Sequence, residues 1–300
     1  MKNICLCFEV HQPLRLKRYR FFDIGQDHYY YDDFQTEDRI RQLAEESYLS
    51  ANRVLSEMIR ATNGKFKCAF SISGVALEQL EQYAPDVIDS FKELAKTGAV
   101  EFLAETYAHS PASVYDSDEF ERQVKQHAKK IDELFGKRPT VFRNSELIYS
   151  DEIGEVVLKL GFKTMLIEEA KHVLGWKSPN CVYSHAYLPK LKLLVRNNKF
   201  SDDIAFRFSN RSWSEFPLDA AKYMHWIAKT PENEEVINIS MGYEAIACST
   251  ACRKWHLRFC KSIAIPCDGK WYPVYISFGN RQKNGGERFH QLSVSYQLVG

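Results

Sequence analysis

The 300-residue chain is 45% hydrophobic and 26% charged, with a formal net charge of +1 at neutral pH. That balance belongs to a globular protein with a sizeable core, and it excludes the strongly basic surface expected of a nucleic-acid or membrane-surface binder. The apolar run at residues 4–8 is broken by Glu9 and closed by His11, Gln12 and Pro13, too short and polar for a secretory signal. A cytoplasmic location is therefore expected, with the eight cysteines as thiols rather than a disulfide framework.

Residues 3–9 alternate in the manner of a first strand and deliver His11. Residues 38–61 read as a long amphipathic helix stopped by Asn63 and Gly64, and 67–72 as a second strand ending at Ser73. Helices follow at 76–83 and 85–97, with Gly98 as a stop. A third strand at 100–104 hands over to Glu105 and His109. A charged helix over 118–135 precedes a short buried strand at 140–142, a loop centred on Glu146, and a helix at 151–160. Strand signals recur at 164–168, 181–184 and 192–195. Residues 201–204, including Asp202 and Asp203, read as a loop, 218–228 as a helix, and 235–241 as a strand running into Gly242, Tyr243 and Glu244. Asp202 and Asp203 also suit a turn or helix cap.

Repeated strand–loop–helix units with no central linker indicate one α/β domain with a parallel sheet, doubly wound or closed as a barrel, with the barrel preferred. In a barrel, His11, Glu105, His109, Glu146, Asp202, Asp203 and Glu244 gather at one rim, since each follows the carboxyl end of a predicted strand. Carboxylates so placed either hold a metal or cleave a glycosidic bond. The chain has no HExxH, CxxC pair or close His-x-His, so no metal or other cofactor is expected and glycoside chemistry fits better. Tyr107, Tyr149, Trp176 and Trp213 are candidate platforms for sugar faces, or core packing.

Four segments carry a resemblance to a known family: His11 to Arg15, Ser73 to Gln79, Phe142 to Tyr149, and Met241 to Glu244. In this order they resemble successive blocks of glycoside hydrolase family 57, in the branch of α-amylases and α-amylase-like proteins, over residues 1 to about 246. The resemblance implies an incomplete seven-stranded (β/α) barrel of parallel strands in residues 1–246, and a retaining enzyme acting on α-glucans such as starch, glycogen and maltooligosaccharides. It makes Glu146 the nucleophile and places His11 at the subsite of the transferred sugar. Glu105, His109, Asp202, Asp203, Trp213 and Glu244 are the further substrate-binding candidates. The acid/base Asp of the family falls at Gly242, which has no carboxyl group. Two alternatives follow: a carbohydrate-binding protein without turnover, and a metal-dependent sugar deacetylase of a related barrel, for which His11 and His109 are the ligand candidates.

The tail departs from the family. Residues 247–300 hold four cysteines, and beyond position 248 there are eight Lys or Arg against only Asp268 and Glu287. Shifted by one base, residues 268–299 back-translate with permitted codons into a peptide similar to the usual family ending. Trp271 and Tyr272 then force a Gly where that peptide has one. The tail is thus expected to be an out-of-frame product replacing the family's closing helical region. Sequencing the coding DNA should reveal a one- or two-base insertion or deletion near codon 246. An uninterrupted frame overturns the reading.

Overall fold

The computed structural model describes residues 3–246, except 27 and 235, together with the backbone of residues 290–292. The strands are β1 (Asn3–Val10), β2 (Cys68–Ile72), β3 (Val100–Phe102), β4 (Val141–Arg143), β5 (Thr164–Ile167), β6 (Val182–His185), β7 (Lys192–Val195), β8 (Val236–Gly242) and β9 (His290–Leu292). They form two sheets, ordered β3-β2-β1-β8 and β4-β5-β7-β6-β9, in which every pair is parallel except β6 with β7.

Single bridges join the sheets at two seams. Ala104 meets Phe142 beyond the end of β3, and Arg196 meets Asn238 beyond the end of β7. Around the circuit β1-β2-β3-β4-β5-β7-β8 seven parallel strands therefore follow one another, with ladders at five junctions and one bridge at each of the other two. This is the expected incomplete (β/α) barrel. The antiparallel β6 lies outside that circuit, a departure from an all-parallel sheet. The expected tail begins at residue 247 and lies outside the described residues, apart from the backbone of β9.

The helices are α1 (Asp33–Leu43), α2 (Leu49–Ala61), α3 (Gly74–Tyr83), α4 (Pro85–Lys96), α5 (Ala112–Tyr115), α6 (Ser117–Phe135), α7 (Asp151–Lys159), α8 (Lys171–Leu174), α9 (Asn198–Asp202) and α10 (Ala220–Ala228). Asp32, Ser73, Asp116, Ser150, Asn197 and Asp219 each accept a backbone N–H three residues on, capping α1, α3, α6, α7, α9 and α10. Each cap contributes about 1 kcal/mol by satisfying a donor that the helix itself cannot. The Asp32 cap starts the first helix earlier than hydrophobic periodicity suggested. A π-helical turn, Ala44–Tyr48, then separates α1 from α2 and leaves Tyr48 fully buried. The Asn197 cap converts the expected loop at 201–204 into the end of α9 and a second π-helical turn.

Phe70 of β2 lies at the aromatic centre of the core, 5.6 Å from Phe8, 5.1 Å from Phe91, 6.2 Å from Phe102 and 5.0 Å from Tyr243 between ring centroids. These rings join strands to the helices outside them through large apolar area and tilted or edge contacts. No helix among the described residues is long and apolar enough to cross a membrane.

Gly74, the first residue of α3, is packed beneath the Tyr107 ring, and a Cβ there would lie 2.4 Å from Tyr107 Cδ2 and 2.5 Å from its Cγ. Cγ is the root of the ring, so a small rotation does not relieve the clash. Gly74→Ala is expected to destabilise the protein by about 1–3 kcal/mol, read as a lower midpoint in urea unfolding. An unchanged midpoint would show that the 105–109 loop yields freely.

Candidate active site

The site begins with strand register. Glu9 of β1 is level with Ser71 of β2 on one side and with Gly242 of β8 on the other, and residues level across a parallel sheet share a face. This layer lies at the carboxyl ends of the strands, where a barrel collects its functional groups. Arg143, at the end of β4, enters the layer with only 3% of its surface exposed. Its Nη2 donates to Glu9 Oε2 at 2.7 Å and its Nη1 to Glu105 Oε2 at 3.5 Å. Ser71 Oγ donates to the same Glu105 oxygen at 2.8 Å. Burial opposes the Arg143 charge, but Glu9 and Glu105 outweigh it and hold the guanidinium protonated more firmly than usual.

Glu105 is fully buried. Burial favours its neutral form, yet His109, His127 and Arg143 together lower its pKa. The Glu105 backbone N–H donates to His127 Nδ1 at 3.2 Å, so His127 Nε2 carries the hydrogen and donates to Ile72 O at 2.7 Å. Burial lowers the His127 pKa and favours this neutral tautomer, which ties α6 to the ends of β2 and β3.

His109 is the hub of the exposed side. Its Nε2 lies 3.3 Å from Glu9 Oε1 and 3.4 Å from Glu146 Oε1, and its Nδ1 lies 3.6 Å from Glu105 Oε2. Burial works against its charge, but Glu105 and Glu9 prevail and raise its pKa. The His11 ring stacks on it at 4.3 Å between centroids, and His11 Nδ1 shares a 2.8 Å hydrogen bond with Ser73 Oγ. Burial first, and the His109 charge second, depress the His11 pKa to about 4. The two histidines therefore stack instead of converging on a common point. Among the described residues no group of three His, Cys, Asp or Glu is arranged to hold a metal ion.

Glu146 reaches this hub from a strained backbone, with φ 52° and ψ 21°, and Leu147 follows at φ 56°. Consecutive left-handed residues other than glycine cost about 1–3 kcal/mol each unless their surroundings impose them. The flanking side chains do so. Asn144 accepts from Ser145 N–H at 3.0 Å and donates to Ile148 O at 3.0 Å and to Ser113 Oγ at 2.8 Å, bracketing the strained pair. Ser145 Oγ bonds Ser110 O at 3.0 Å and Thr106 Oγ1 at 2.8 Å. The Glu146 side chain, 81% exposed, is thereby presented to the open face of the rim on a rigid base.

Gly242 ends β8, and Glu244 folds back beside it. A Cβ at position 242 would lie 3.4 Å from Glu244 Oε2. Glu244 Oε1 accepts from Tyr48 Oη in a short hydrogen bond and from Gln12 Nε2 at 3.2 Å. Thus His11, Glu105, His109 and Glu146 form one cluster, and the layer of Glu9 and Gly242 links Glu244 to it. Asp202 instead accepts from Arg196 Nη2 at 2.7 Å, and Asp203 is buried and accepts from Arg207 Nη1 at 2.6 Å. Trp213 is partly buried against the core and edge-on to Trp226 at 6.1 Å. Tyr107 donates to Glu78 at 2.5 Å, Tyr149 is buried and donates to Asp151, and Trp176 is 93% exposed.

Sequence reading missed Glu9, Arg143, Tyr48 and Gln12 as members of the site. A charged residue within the buried strand pattern was the available signal for Glu9 and Arg143. Tyr48 gave none, because the π-helical turn that orients it interrupts the helical period.

The family model "Glycosyl hydrolase family 57" matches residues 5–261, and the chain belongs to that family. A Methanocaldococcus jannaschii protein named "Putative alpha-amylase" is 42% identical over 243 residues, covering 79% of this chain and 50% of its own. The chain thus spans half the length of that relative. The α-amylase AmyC from Thermotoga maritima superposes with a TM-score of 0.69 at 10% identity, over 97% of this chain and 76% of that one. The 4-alpha-glucanotransferase from Thermococcus litoralis gives 0.66 at 15% identity, over 89% and 38%. These last two likenesses show the fold alone.

The shifted histidines give opposite pH signatures. Between pH 6.5 and about 4 the unfolded chain binds a proton at His11 that the folded protein refuses, so the His11 contribution to stability falls as pH drops through that window. The raised pKa of His109 stabilises the fold at low pH, and that contribution is lost as pH rises through the folded value. Imidazole NMR titration should place the His11 midpoint near 4 and that of His109 above 6.5. Glu105→Gln should lower the His109 midpoint. A His11 midpoint at 6.5 contradicts this electrostatic reading.

Proposed function

We propose that this chain is an α-amylase-type retaining glycoside hydrolase acting on starch, glycogen or maltooligosaccharides, with Glu146 as the nucleophile. The observation that carries this reading is the Glu146 loop: an exposed carboxylate on a strained, fully braced backbone, with its Oε1 beside His109 at the barrel rim. Family membership and the α-amylase relative support the substrate class.

In this reading Glu146 attacks the anomeric carbon and forms a glycosyl ester that water then hydrolyses. Positive charge develops on the sugar ring in between, and Glu146 and Glu9 supply negative charge near it. The buried Arg143 and the His109 hub fix where those carboxylates sit, so little reorganisation accompanies the reaction. A cytoplasmic setting completes the proposal, supported by Cys7 and Cys68 as buried free thiols.

Gly242 favours a second reading, a carbohydrate-binding protein of the same fold without turnover, because no carboxyl stands at that position to protonate a leaving sugar. An α-glucosyl fluoride separates the two, since fluoride departs without a general acid. Fluoride release by the wild type, reduced about 10⁴-fold or more by Glu146→Gln, is the expected result. Absence of release, with a maltooligosaccharide still bound in calorimetry, would establish the binding protein instead.

A further inference from the structure

Resting on Glu146 as nucleophile, we propose that Glu244 supplies the second carboxyl group of the reaction and acts as the general acid/base. A retaining mechanism requires such a group near the nucleophile to protonate the departing oxygen. Two observations point to Glu244: where its carboxyl lies, and which charges surround it.

Position comes first. Gly242 is level with Glu9 across β1 and β8, so any side chain at 242 would enter the same inner layer as Glu9. Glu9 Oε1 is 3.3 Å from the His109 nitrogen that faces Glu146 at 3.4 Å. Glu244 Oε2 lies 3.4 Å from the Cβ position of residue 242. The glycine therefore leaves open the space beside the hub, and the Glu244 carboxyl borders that space from two residues further along the chain.

Charge distinguishes Glu244 from its neighbours. Glu9 is paired with Arg143 at 2.7 Å, Asp202 with Arg196 at 2.7 Å, Asp203 with Arg207 at 2.6 Å and Glu168 with Arg196 at 3.7 Å. Glu105 is buried against both Arg143 and His109. Each of these carboxyl groups is engaged by a neighbouring cation. Glu244 makes no ion pair among the described residues. Its two hydrogen bonds come from neutral donors, Tyr48 Oη and Gln12 Nε2, and both arrive at Oε1.

That asymmetry leaves Oε2 without a hydrogen-bond donor among the described residues, so Oε2 is the oxygen placed to pass a proton to the departing group. Carboxylate Glu146 bonds to the anomeric carbon as the glycosidic C–O bond breaks, and its electron pair takes the proton from Glu244 Oε2. In the second half, water gives a proton to the Glu244 carboxylate and attacks the anomeric carbon, releasing Glu146. Tyr48 and Gln12 are then positioning residues, acting only through Glu244.

The test uses the full-length protein with α-maltosyl fluoride and a maltooligosaccharide. Glutamine at 244 retains an oxygen for Tyr48 and Gln12, so Glu244→Gln is expected to fold, with far-UV circular dichroism and thermal melting as the check. It should cut oligosaccharide turnover by about 10²- to 10⁴-fold. With the fluoride it should give a burst of one equivalent, followed by slow turnover as the glycosyl enzyme waits for a base. Glu244→Ala with azide should accelerate that slow phase and yield the α-glycosyl azide. Gly242→Asp in the Glu244→Gln background, where the Cβ meets only an ordinary contact, should recover part of the lost oligosaccharide turnover.

Equal oligosaccharide turnover by wild type and Glu244→Gln overturns the proposal. So does an equal loss on both substrates without a burst and without azide rescue, which marks a purely structural role. A wild type that releases no fluoride overturns the underlying assignment of Glu146. Fluoride release dependent on Glu146 but indifferent to Glu244 removes only Glu244.

Discussion

The rim depends on one buried cation. Arg143 sits at the end of β4 with almost no exposure and faces Glu9 from β1 and Glu105 from just beyond β3. Taking a guanidinium out of water costs several kcal/mol, and the pairing offsets that cost only while both carboxylates remain in place. Loss of either leaves an uncompensated charge. The same contacts cross the β3–β4 seam, where the backbone supplies a single bridge at Ala104 and Phe142. Side-chain charge thus supports the barrel where the ladder is weakest, and fixes the carboxylate layer at the rim.

Around Arg143 the structure tolerates features that an ordinary core avoids. Glu105 Oε1, His109 Nδ1 and Arg143 Nε are buried without a hydrogen-bond partner among the described residues. Each such atom costs about 1–3 kcal/mol. His109, Glu146 and Leu147 add left-handed backbone within the same few ångströms of the hub. Two well-packed apolar clusters underneath absorb these costs. Strain and unsatisfied polarity thus gather at one end of the barrel, where local stability is exchanged for side-chain placement.

Charge is also distributed unevenly across the rim. On the β1–β3–β4 side a guanidinium and a raised-pKa histidine lie against Glu9 and Glu105 and lower the Glu105 pKa. Towards β8, Glu244 accepts hydrogen bonds from Tyr48 and Gln12 and makes no ion pair among the described residues. Carboxyl groups on the two sides of the rim thus stand in different surroundings.

The sequence by itself determined the alternation of strands and helices and the loops that deliver His11, Glu105, His109, Glu146 and Glu244, because these follow from short-range periodicity. It also identified the family blocks and the glycine at 242. Only the tertiary structure decided what those residues touch. Arg143 and Glu9 are 134 positions apart and meet because strand register aligns their ends. Tyr48 reaches Glu244 through a π-helical turn that interrupts the helical period. Asp202 and Asp203, read as rim carboxylates, each found an arginine once Asn197 capped α9 and set its phase. Local pattern specifies which elements form, whereas the pairing of charges depends on register, burial and distance between elements far apart in the chain.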